Sequence, residues 1–125
     1  MGSGILLGAG VSVLVVACGK SSPSPSGPPV ATNIITIMPT VGVDPKNIVV
    51  PRGSQVTFVN RDSQVHDMES DPHPEHDDCR ELESVGFLRP GESRVSQNLN
   101  VPRTCGYHDH LNDGNTALHG MIVIE

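Results

Sequence analysis

The stretch "CGYHDHLNDGNTALHGM", Cys105 to Met121, offers one thiol, three imidazoles and a thioether within seventeen residues. It is either a metal site or an ordinary polar loop before a last strand, and a soft thiolate with imidazoles suits copper. His66 lies forty residues upstream, just after the strand-like "SQVTFVN". With Cys105 and His108 it makes a set of one thiolate and two imidazoles, a trigonal donor set that suits copper. "HDH" adds His110 as a candidate extra ligand. His119 reads as an exposed loop residue, and Met68, beside His66, is a weaker thioether candidate. A second group, "HPEHDDC", sets His73, His76 and Cys79 at H-x-x-H-x-x-C spacing among carboxylates. It is either a second zinc or copper site or a solvated acidic loop.

The elements that must hold these residues read as strands. "ATNIITIM", "NIVVP", "SQVTFVN", "SRVSQNLN" and "MIVIE" are rich in β-branched residues or alternate apolar with polar. "PRGS" (Pro51 to Ser54) predicts a turn joining two strands in a hairpin, and "RPGES" (Arg89 to Ser93) repeats its chemistry. No segment sustains a 3.6-residue period, so the fold class is an all-β sandwich in one domain. The segment from His66 to Gly86 is long for a loop in such a sandwich. Pro72 and Pro74 exclude a helix at its start, while "EHDDCRELES" predicts one or two helical turns with Leu82 inward.

Fourteen acidic against eight basic residues give a net charge of −6 and argue against nucleic acid or an anionic membrane surface as partner. Eight of the acids fall between Asp67 and Glu83, so the charge is local. At the N-terminus, "ILLGAGVSVLVVA" (Ile5 to Ala17) is too short for a stable membrane span and suits the apolar region of a signal peptide, although "MGSG" lacks the usual basic residues. "VVAC" resembles a bacterial lipobox, which implies cleavage before Cys18 and its lipidation. Residues 1–17 are thus read as signal peptide and residues 18–29, "CGKSSPSPSGPP", as a Gly/Ser/Pro tether. Residues 30–125 form the domain. The expected location is the bacterial cell envelope, at the periplasm or outer membrane. There two cysteines remain, and an even pair in an oxidising compartment is by default a disulfide. A Cys79–Cys105 bridge would remove the thiolate.

Five segments in order, "PRGSQVTFVNRD", His66, "FLRPGES", "CGYH" and "GMIVIE", resemble the cupredoxins, the plastocyanin, amicyanin and azurin family. The resemblance runs from about Ile34 to Glu125 and implies a Greek-key β-sandwich that binds one copper ion, cycling between Cu(I) and Cu(II), through His66, Cys105 and His108. It implies electron transfer to a redox partner protein, by a monomer that is not an enzyme. The family's axial methionine lies two residues before the glycine that opens the last strand. Here that place holds Leu118, and Met121, which follows the glycine, is read as a strand residue facing the core, with the axial ligand as the alternative. Two other functions fit the residues. One is copper buffering or delivery, with a donor or acceptor protein as partner, by the His/acid loop of a protein whose Cys79 and Cys105 are bridged. The other is a small mononuclear copper enzyme with an open coordination position.

Overall fold

The computed structural model describes residue 2 and residues 27–125. Apart from residue 2, the expected signal segment, Cys18 and most of the expected tether lie outside the described residues. Ten strands form two sheets: β1 (Val30–Ala31), β2 (Ile34–Met38), β3 (Gly42–Asp44), β4 (Asn47–Val50), β5 (Thr57–Asn60), β6 (His66–Ser70), β7 (Gly86–Leu88), β8 (Ser93–Val95), β9 (Arg103–Asp109) and β10 (Gly120–Ile124). One sheet runs β1-β4-β10-β9-β6-β7 and the other β3-β2-β5-β8. Three short 3-10 turns, Arg80–Ser84, His110–Asn112 and Thr116–Leu118, complete the secondary structure of the described residues.

The all-β sandwich follows from the alternation. In β2, Ile35 and Ile37 are fully buried, and in β10 Ile122 and Ile124 are buried while Met121 is exposed. The core between the sheets is therefore aliphatic, filled from both sides by Ile, Val and Leu, with Phe58 of β5 meeting Tyr107 of β9 edge to face at 5.3 Å. Tyr107 donates its hydroxyl to the Lys46 carbonyl at 2.8 Å, and burial pushes its phenol far above the ordinary range. Gly120 is needed there, because a Cβ would overlap both the Lys46 carbonyl and the Tyr107 ring.

Two expectations are corrected. "PRGS" does form a turn, with the Ser54 N–H donating to the Pro51 carbonyl at 3.1 Å, but β4 and β5 belong to different sheets. The turn carries the chain from one layer to the other and makes no hairpin. "RPGES" does the same between β7 and β8. Strand β9, expected to end at Cys105, continues to Asp109. The turns expected within "EHDDCRELES" are present at Arg80–Ser84, with Leu82 buried.

Candidate metal centre

The extent of β9 decides which donors meet. Tyr107 faces the opposite sheet, so by strand alternation Cys105 and Asp109 share its inward side, and Gly106 and His108 point to the outer face of the six-stranded sheet. β6 pairs antiparallel with β9, Met68 against Asp109 and Glu69 against His108. His66 and Met68 therefore point inward, and Asp67 and Glu69 outward.

On the inward side the expected trigonal set does not assemble. Cys105 is bonded to Cys79, with Cα atoms 5.7 Å apart, so its sulfur is not a thiolate. The side chains that converge on His66 are Asp62 and Asp109: Nε2 lies 2.9 Å from Asp62 Oδ2, and Nδ1 lies 2.7 Å from Asp109 Oδ2. Asn112 Nδ2 donates to the same Asp109 oxygen at 2.8 Å. Asp109 and Asn112, at D-x-x-N spacing, thus stand beside His66 where the resemblance assigned C-x-x-H. Leu118 lines the same cavity of about 280 Å³, together with His66, Asp62, Asn112 and Met38. Met68 is core, 1% exposed. Met121 is a strand residue as expected, but it faces outward, opposite Gly106, and is half-exposed.

Asp109 is the hub of this inner group. Burial alone would push its carboxyl up. Hydrogen bonds from Asn112, the Asp67 N–H, His66 and the Leu111 N–H outweigh burial and hold it below the usual carboxylate range. A folded-state value below the unfolded one means that the stabilisation is complete above the unfolded value and is lost as pH falls through the folded one. Asp109→Asn is therefore expected to cost about 2 kcal/mol near pH 7. Urea unfolding should show the gap to wild type closing below about pH 4.

On the outer side four imidazoles converge. His108, near the end of β9, and His110, at the start of the turn that follows it, meet here, and the loop after β6 folds back to bring His73 and His76 to them. One nitrogen from each of the four rings lies within 4.8 Å of those of the other three. His76 stacks on His108 with centroids 5.0 Å apart, and His73 lies 4.7 Å from His110. The hydrogen bonds decide which ring nitrogens are left to bind an ion. His76 Nδ1–H donates to the Ser70 carbonyl at 2.8 Å, which leaves Nε2 as the lone-pair nitrogen of the neutral ring. That nitrogen accepts from His110 Nδ1–H at 3.1 Å, so two donors already share one proton where a cation would replace it. His108, fully buried, has Nδ1 2.6 Å from Asp71 Oδ1, and its Nε2 has no hydrogen-bond partner. The carboxylate oxygen of Asp113 is 3.9 Å away, beyond bonding range.

A buried unpartnered ring nitrogen costs free energy unless something binds it. Metal–imidazole bonds of about 2.0–2.1 Å put tetrahedral donors about 3.3 Å apart, so the four nitrogens need only a small inward movement to close on an ion. The donor set fits copper, zinc or nickel. Glu69, across from His108, has its carboxyl pushed up by burial and by the neighbouring Asp67. His119 donates Nε2–H to the Asp113 carbonyl at 2.6 Å; its ring centroid lies 5.8 Å from that of His108, but it is not one of the four rings whose nitrogens converge. The two donor groups of the sequence, "HPEHDDC" and "HDH", are thus one site. Cys79 and Cys105, three residues from His76 and His108 respectively, join the segments that carry it.

No protein-family model and no curated protein matches the chain. Solved structures do. A purple cupredoxin from Nitrosopumilus maritimus is similar at a TM-score of 0.61 and 19% identity, over 75% of this chain and 100% of that one. Plastocyanin from Dryopteris crassirhizoma is similar at 0.57 and 18%, over 74% and 99%. Auracyanin from Roseiflexus castenholzii is similar at 0.53 and 15%, over 77% and 99%. With its two-layer sandwich, its strand order and these similarities, the chain has the cupredoxin fold.

Proposed function

We propose that this protein binds a single copper ion through His73, His76, His108 and His110, and that it holds the metal for transfer to a partner protein at the bacterial cell envelope, anchored by lipid at Cys18. The observation that carries the reading is the convergence of four rings on one centre, with the buried Nε2 of His108 left unpartnered. The Cys79–Cys105 bond supports it twice: it withdraws the only thiolate that β9 could offer, and it accords with an oxidising compartment. The neighbouring acids, Glu69 and Asp71 among them, raise the local concentration of cations. Copper bound there would supply a one-electron couple, and the chain's part is to fix four neutral imidazoles around it.

A second reading, electron transfer to a redox partner, is favoured by the similar structures, which include an oxidized plastocyanin and a reduced auracyanin. Electron spin resonance of the Cu(II)-loaded protein tests the coordination. Hyperfine structure from imidazole nitrogens is expected, with weak ligand-field absorption and no free thiol in the denatured, unreduced protein. An intense thiolate charge-transfer band together with two free thiols would overturn the site. Loss of the metal to a competing chelator on reduction favours delivery, and retention through repeated redox cycles favours electron transfer.

A further inference from the structure

We infer that Asp71 is the positioning residue of the metal centre: its carboxylate holds His108 in the tautomer and orientation that present Nε2 to the ion. The inference deepens the four-histidine reading and rests on it.

Asp71 Oδ1 lies 2.6 Å from His108 Nδ1. A carboxylate there accepts a hydrogen bond from Nδ1–H, so the lone pair of the neutral ring is confined to Nε2, the nitrogen that is buried without a partner. Without the carboxylate the ring is free to take the other tautomer, with a proton where the metal must bind. Imidazole ligands backed by a carboxylate are fixed in orientation as well as in tautomer, and loss of that support costs about 10–100-fold in metal affinity.

The backbone is built to hold Asp71 at that spot. Its N–H donates to the Gly106 carbonyl and its own carbonyl accepts from the Asp78 N–H, both at 2.9 Å. Its second carboxylate oxygen occupies the space above Gly106, where any Cβ would overlap it. Glycine at position 106, one strand position on the same face before His108, is the opening that lets the carboxylate reach the ring. Asp71 also sits at the base of the loop bearing His73 and His76. One residue thus ties that loop to β9 and sets the tautomer of the ligand on it.

The test uses the full chain with Cu(II) as probe. In the metal-free wild type, nitrogen-15 spectra of the histidine rings should show His108 protonated at Nδ1, and Asp71→Ala should shift it toward the Nε2–H form, a change that loosened packing alone would not produce. Copper affinity should fall about 10–100-fold in Asp71→Ala and be largely restored in Asp71→Asn, whose amide oxygen still accepts from Nδ1–H. Gly106→Ala, which displaces the carboxylate without removing it, should match the loss. Wild-type affinity in Asp71→Ala, or an Nε2–H tautomer in the wild type, overturns the inference. Failure of the four-histidine reading would show separately, as the absence of imidazole hyperfine structure in the wild type itself.

Discussion

Replacing His76 and His108 together by alanine is expected to lower copper affinity by more than about 100-fold, the upper end of what loss of a single supporting carboxylate costs. In both rings Nε2 is the nitrogen left for the ion, in His76 because its Nδ1–H is committed to the Ser70 carbonyl and in His108 because its Nδ1 faces Asp71. The remaining pair, His73 and His110, are the more exposed members and would bind as ordinary surface imidazoles do. His66→Gln is the informative control. His66 lies on the inward side of the same sheet, between Asp62 and Asp109, so its replacement should leave copper affinity at the wild-type level. The opposite pattern, binding lost in His66→Gln and kept in the double variant, would return the metal to the position implied by the cupredoxin resemblance. Competition titration against a chelator of known affinity measures both.

The second large effect is expected from the disulfide. Cys79 and Cys105 are both fully buried, and their bond closes a loop across 26 residues of sequence. Removing such a bond from a small domain typically costs about 2–5 kcal/mol. A domain of this size gains or loses about 4–8 °C in Tm for each kcal/mol, so Cys79→Ala with Cys105→Ala should melt at least about 8 °C below wild type. The same variant should bind copper more weakly, since the bond ties the His73–His76 segment to the strand that carries His108. Calorimetry gives the first quantity and chelator competition the second. Unchanged melting would mean that the hydrogen bonds of the loop, such as that from the Cys79 N–H to Ser70 Oγ at 2.9 Å, already fix it.

The sandwich, its aliphatic core and the inward Leu82 were legible because period-2 alternation and turn chemistry are local. The layer changes at "PRGS" and "RPGES" were not, since a turn of given composition joins strands of one sheet or of two, and only packing decides. Every donor of the site was visible in the sequence, but the grouping was not. His66, Cys105 and His108 matched the family spacing, and the extra four residues of β9 turned that match aside, placing Asp109 and Asn112 beside His66 instead. One signal was available. In an extended strand His108 and His110 must share a face, with Asp109 opposite, so "HDH" already separates two donors from one acid. The approach of His73 and His76 depends on a long loop with no periodic pattern, and no spacing rule reaches it. Asp71 was missed for the same reason.

That alternation has a consequence for how the protein can change. Between Cys105 and Asp109 a single strand serves both sides of a sheet, with the disulfide and Asp109 on one and Gly106 and His108 on the other. Inserting or deleting one residue here would exchange the two sets, burying the His108 imidazole in the core and turning the bridging sulfur and the hub carboxylate to the surface. Related chains that keep this centre should therefore differ in this stretch by substitution alone. Gains and losses of residues should be confined to the segment between Leu111 and Ala117, where no pleat keeps count.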